Sequence, residues 1–177
     1  NNPKDVLHIH VTYLPVPPRL GEMKTKPAQL SIQQINRHGL HPDFIIGRSE
    51  KGLDDERIEK ISKFCFVPIN HVISAPDVDC IYEIPLNFEK ANLGKEILRF
   101  LNLRSKNTPL YSSWRKKVLK INNSKKTINI AIVGKYYKSG KFDLKDSYVS
   151  VIEAINHACW ESSIAPNIHW MTAESFE

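Results

Sequence analysis

Glycine and cysteine are scarce in this chain, and each shortage removes a class of function. Only 7 of 177 residues are glycine. The nearest approach to a phosphate loop, Gly47-Arg-Ser-Glu-Lys-Gly52, has Leu53 where the mechanism needs a lysine on the phosphates. No Gly-x-Ser-x-Gly or Gly-x-Cys-x-Gly elbow carries a hydrolytic nucleophile. Cys65, Cys80 and Cys159 are odd in number, far apart and without Cys-x-x-Cys spacing. That pattern argues against a disulfide framework or zinc knuckle and for buried thiols in a reducing cytoplasm. No apolar run approaches the ~20 residues of a membrane span. The start, Asn1 to Asp5, has neither an initiating methionine nor an apolar signal region, and Thr172 to Glu177 ends without a tail. The chain is therefore expected to be a piece of a longer protein.

Acidic residues are missing from one stretch. Between Lys95 and Lys126 only Glu96 opposes ten basic residues, so that stretch carries +9 and the remainder −3, for a net +6. The basicity thus belongs to one segment, which reads as a solvated linker or as a nucleic-acid-binding arm. The arm would need aromatics between the charges to stack on bases, and only Phe100, Tyr111 and Trp114 are available. No membrane partner and no nucleic-acid partner is expected.

What is present is an alternation of strands and helices. Val6–Leu14 alternates and is rich in β-formers, and Pro15, Pro17 and Pro18 end it. A helix is predicted from about Pro27 to His38, with Gly39 just beyond it. Phe44–Ile46 is a short buried strand, Asp54 to about Phe66 a helix, Val72–Ser74 a strand, and Ala91–Leu103 a helix. After the polar, basic stretch, Thr127–Val133 opens a new unit. Lys138–Lys145 follows as a polar loop, Asp146 to about Glu161 as a helix, and Asn167–Met171 as a strand. Such alternation predicts parallel α/β sheets.

Lys24-Thr25-Lys26-Pro27-Ala28-Gln29 is the strongest chemical signal. Two ammonium groups flank a hydroxyl, and proline suits a first helical turn because its missing N–H would be unpaired there anyway. Open N–H groups and the helix dipole favour an anion at that end. The segment reads as a polyphosphate cradle, against a plain charged loop. Arg57 and Lys60, one turn apart on the second helix, either share that anion or form a solvated face. Arg48-Ser49 follows a strand, where α/β proteins bind ligands. His8 and His10 face one side of a strand, as two metal ligands or as satisfied histidines. Asp77 and Asp79 either touch a ribose or base amino group or cap the next helix.

Together, Gly21-Glu-Met-Lys-Thr-Lys-Pro-Ala-Gln29, Pro42-Asp-Phe-Ile-Ile-Gly-Arg-Ser49, Val72-Ile-Ser-Ala-Pro-Asp-Val-Asp-Cys-Ile-Tyr-Glu-Ile-Pro85, Ile132-Val-Gly-Lys-Tyr136 and Asp146-Ser-Tyr-Val-Ser-Val-Ile-Glu-Ala154 resemble CTP synthase, the glutamine-dependent enzyme that aminates UTP. The likeness runs along essentially the whole chain. It implies the C-terminal part of a P-loop-type, dethiobiotin-synthetase-like amidoligase domain over residues 1–104 and a basic interdomain linker over 105–126. Residues 127–177 would begin a flavodoxin-like class I glutamine amidotransferase domain.

The resemblance implies that Lys24, Thr25, Lys26, Pro27, Ala28 and Gln29 bind the triphosphate of UTP or of the inhibitor CTP, with Ala28 standing where the family has threonine. Lys60 would touch the same nucleotide. Pro76, Asp77 and Val78 would meet the adenine end of ATP, mainly through backbone groups, and Lys135 and Tyr136 would line a site for the activator GTP. It further implies magnesium-bound ATP with the metal ligands outside this chain, a Cys-His-Glu triad for glutamine also outside it, and a cytoplasmic homotetramer. The piece alone is expected to be inactive, with no catalytic residue of its own. A pure assembly role is the other reading.

Overall fold

The computed structural model describes residues 5–105, 110–124, 126–134, 138–139, 142–143 and 145–172. The chain forms two compact units that divide between Asn107 and Thr108.

In the first unit, β1 (Ile9–Tyr13), β2 (Phe44–Ser49) and β3 (Val72–Pro76) form a parallel sheet in that order. Ile9 pairs with Phe44, and Ile46 with Ile73. Strand periodicity sends alternate side chains to opposite faces, and both faces here are buried. Ile45 and Val72 join Leu14, Ala28, Ile32, Ile61 and Cys65 in one core layer. Phe44, Ile46 and Ile73 join Leu93 in the other, with Ile9, Phe88 and Ile97 packed against it. The first layer lies under α1 (Lys26–Arg37) and α2 (Asp55–Cys65), the second under α3 (Ile84–Lys90) and α4 (Leu93–Phe100).

Local chemistry sets the helix ends. Pro27 sits in the first turn of α1, and Gly39, at φ +78°, turns the chain away after it. The Asp54 carboxylate accepts the Arg57 backbone N–H at 2.9 Å, and Asp55 and Glu56 complement the helix dipole. At the far end Phe66 takes the left-handed conformation usually left to glycine.

Several boundaries differ from the sequence reading. The first strand begins at Ile9, and β2 and β3 run on to Ser49 and Pro76, because pairing continues through residues that carry no apolar signal. The helix expected at Ala91–Leu103 starts at Leu93, and α3 precedes it, with Pro85 in its first turn.

Gly47 is a packing constraint. A methyl group there would meet Leu14 Cδ1 at 2.9 Å and the Leu53 methyls at 3.1 and 3.3 Å. Leu14 is fully buried and has little room to yield. Gly47→Ala is expected to lower unfolding free energy by about 1–2 kcal/mol, read as a lower urea midpoint at unchanged slope.

The second unit contains α5 (Leu110–Asn122), β4 (Lys126–Gly134), the short antiparallel pair β5 (Lys138–Ser139) and β6 (Phe142–Asp143), α6 (Val149–Glu161) and β7 (Ile164–Thr172). β4 and β7 pair in parallel from Lys126–Ile164 to Gly134–Thr172, so β4-α6-β7 is a βαβ crossover. The stretch expected as linker therefore carries a helix, α5, with Val118 buried. Val118 is the one buried residue of α5 among those described, too little apolar signal to read among its basic residues.

Candidate phosphate-binding site

The chain reaches the site through a folded loop. Leu20 and Gly21 donate their N–H groups to the Pro17 carbonyl, and Gly21 takes φ +63°. Met23 is buried in the core, and the Lys24 N–H bonds back to the Pro15 carbonyl at 2.9 Å. These anchors deliver Lys24, Thr25 and Lys26 to the start of α1, beyond the carboxyl end of β1. The neighbouring crossover delivers α2 beyond the carboxyl end of β2. Between them lies a cavity of about 160 Å³ lined by Glu22, Met23, Lys24, Thr25, Lys26, Glu56, Arg57 and Lys60. This is where parallel α/β sheets hold ligands.

Thr25 does not cap α1: its backbone is already helical, and its hydroxyl accepts Gln29 Nε2 at 3.2 Å. No acidic residue occupies the first turn. The turn's N–H groups are therefore left for an anion. Lys26 and Lys60 are exposed at their heads and have no carboxylate partner among the described residues. Lys24 is held by Glu22, Nζ to Oε2 at 2.6 Å. Arg57 is held by Asp54 at 2.7 Å, Glu22 at 3.3 Å and Glu56 at 3.5 Å. The hydrogen bond from Lys24 keeps the Glu22 carboxyl below the usual carboxylate range. The Arg57 backbone N–H does the same for Asp54, while the Asp54 hydrogen bond raises Arg57. Four cations and two carboxylates thus line the cavity, a net +2 suited to a polyphosphate.

The expected phosphate residues separate into two groups. Lys24, Thr25, Lys26 and Lys60 line the cavity; Pro27, Ala28 and Gln29 do not. The Ala28 methyl is fully buried in the first core layer, so it packs beneath the site. Gln29 is buried as well and braces Thr25. Arg57, read as either ligand or solvated face, is drawn in, but three carboxylates already engage it. Glu22 and Glu56 were missed as lining residues. Glu22 stands two residues before Lys24, and that proximity was the available signal.

Pro76, Asp77 and Val78 lie elsewhere, at the carboxyl end of β3. Asp77 bonds through its N–H to the Ser49 carbonyl at 2.8 Å and through its carboxylate to Arg48 at 2.9 Å. It therefore does not cap the next helical turn, and Arg48-Ser49 shares this second corner. Lys135 and Tyr136 fall outside the described residues. His10 shares a hydrogen bond with Ser31 Oγ at 3.0 Å, and burial, then His8, lowers its pKa. It reads as a satisfied neutral ring. Burial pushes the Cys65 thiol up to about 11, as befits a core residue and not a nucleophile.

Among the described residues no cluster of three or more His, Cys, Asp or Glu is arranged to hold a metal ion. No helix among them is long and apolar enough to cross a membrane.

The family model described as CTP synthase N-terminus matches residues 1–103, which end just inside the first unit. The chain belongs to the CTP synthase family. It is 43% identical over 99% of its length to a CTP synthase of Prochlorococcus marinus strain MIT 9515, covering 32% of that protein. Against a CTP synthase of strain MIT 9312 it is 42% identical over 99% of its length, again covering 32%. Against one of Synechococcus sp. strain RCC307 it is 38% identical over 98%, covering 31%. The chain spans about a third of the length of these CTP synthases. The region matched by the CTP synthase model contains every residue lining the candidate cavity and the corner at Arg48 and Asp77.

Proposed function

We propose that this chain supplies the pyrimidine-nucleotide phosphate site and part of the ATP site of a CTP synthase, the ligase that makes CTP from UTP. In the complete enzyme, ATP phosphorylates uracil O4, ammonia from glutamine adds at C4, and phosphate leaves. The role of this chain is binding and orientation. Lys24, Lys26 and Lys60 neutralise the UTP or CTP triphosphate, and the first turn of α1 adds its N–H groups. Pro76, Asp77 and Val78 receive the adenine end of ATP through the backbone that Ser49 and Arg48 hold in place. Lys135 and Tyr136 contribute to the GTP activator site. Magnesium, bound with ATP, would neutralise charge on the transferred phosphate. The acids beside the cavity are engaged by Lys24 and Arg57, so its ligands are ascribed to the rest of the enzyme, as is the glutamine triad. The complete protein would be a cytoplasmic homotetramer, and the chain alone inactive.

The observation that carries the reading is the convergence of three ammonium groups from two successive βα units in one cavity. Calorimetric titration with UTP and with CTP is expected to show saturable binding. Lys24→Met and Lys26→Met should each weaken both ligands by about tenfold or more, since a charge-assisted hydrogen bond is worth about 1.5–3 kcal/mol. Unchanged binding in both variants would sink the assignment. Salt-sensitive RNA binding without UTP binding would favour instead a basic module using Lys95 to Lys126.

A further inference from the structure

Among the described residues, Glu22 is the one side chain that reaches cations on both sides of the cavity. Its Oε2 accepts Lys24 Nζ, from the loop before α1, at 2.6 Å, and its Oε1 accepts Arg57 Nη2, from α2, at 3.3 Å. The same carboxylate therefore stands where an anionic ligand would stand, and it uses the same donors. We propose that Glu22 is an internal counter-anion that sets the affinity and charge requirement of the site. A phosphate approaching Lys24 must either displace Glu22 or bind beside a carboxylate that repels it. This rests on reading the cavity as a polyphosphate site.

The geometry gives Glu22 a specificity role and not merely a structural one. Arg57 keeps Asp54 at 2.7 Å when Glu22 lets go, so α2 stays anchored. Lys24 has only Glu22 as a carboxylate partner among the described residues, so losing that partner frees it for the ligand. Glu22 is itself about half exposed, which lets it swing out on ligand entry without opening the core. The site then admits ligands whose charge outcompetes one carboxylate, such as a triphosphate, and holds weakly those that do not.

The test compares the unaltered chain with Glu22→Gln, Lys26→Met, Lys24→Met and Lys24→Met/Glu22→Gln, titrated with UTP, inorganic triphosphate and uridine at low and at high salt. Glu22→Gln is expected to bind UTP and triphosphate about fivefold tighter, the scale of an exposed ion pair. Uridine should be unaffected. The gain should shrink at high salt, because screening acts on charge and not on packing. It should also shrink in the Lys24→Met background, where Lys24 is no longer there to be released. Equal or weaker triphosphate binding by a folded Glu22→Gln variant, alongside weaker binding by Lys26→Met, would overturn the role of Glu22 and leave the cavity assignment standing. Unchanged binding in both Lys26→Met and Lys24→Met would overturn the cavity assignment and the role of Glu22 with it.

Discussion

Replacing Phe44 with alanine is expected to cost about 3–5 kcal/mol of unfolding free energy, the range for a buried phenylalanine truncated in a packed core. Phe44 is fully buried at the start of β2. Its ring stacks on His71 with centroids 3.9 Å apart and 11° between planes, and Phe100 meets it edge-on at 6.0 Å. His71 in turn bonds through Nδ1 to the Asp43 carbonyl at 2.9 Å. The ring therefore ties β2, the turn before β3 and the end of α4 into the second core layer. Domains of ordinary stability hold about 5–15 kcal/mol in total, so this loss would leave the first unit marginal at 37 °C. Urea unfolding followed by far-UV circular dichroism reads it directly. Phe44→Leu should cost less, about 1–2 kcal/mol, because it refills most of the volume and forfeits mainly the ring contacts. A Phe44→Ala midpoint close to that of the unaltered chain would show that the second layer is not a cooperative core.

The sequence made the first sheet legible because its strands are buried on both faces, which leaves unbroken apolar runs at Phe44–Ile46 and Val72–Ile73. α1 and α2 were legible from punctuation: Pro27 and Gly39 for one, Asp54 for the other. α3 was not, since residues 84–90 supply too few turns for a periodicity, and its Pro85 resembles a breaker until its place in the first turn is known. α5 was hidden by charge. At the site, Lys24 and Lys26 could be read from local chemistry, because ammonium groups beside an uncapped helix start need no distant partner. The convergence of Lys60 could be read only as one alternative, beside a solvated helix face. It depends on β1 and β2 being neighbours, which sets α1 beside α2. The burial of Ala28 was out of reach, for the same tripeptide spacing would serve a residue facing the ligand or the core.

Lys60→Glu is expected to cost UTP affinity about a hundredfold, the largest single effect at the cavity. Lys60 is exposed on α2, one turn beyond Glu56 and Arg57, so its replacement disturbs no core packing. Its value lies in charge alone. Of the four cations lining the cavity, Lys24 and Arg57 already face carboxylates, which leaves Lys26 and Lys60 as the two with no carboxylate partner among the described residues. Reversing Lys60 takes the lining from +2 to zero and sets a third carboxylate beside the phosphate path. Losing the charge-assisted bond costs about 1.5–3 kcal/mol. Repulsion at about 5 Å adds about 1 kcal/mol in a solvated site. Lys60→Gln, which removes the bond without the repulsion, should fall between, near tenfold. The ordering Lys, Gln, Glu is the informative part, since a purely structural role for this position would not rank by charge. Titration at several salt concentrations should show the Lys60→Glu deficit narrowing as salt rises. UTP affinity retained within threefold in Lys60→Glu would remove α2 from the site and leave the start of α1 as the only phosphate-binding element.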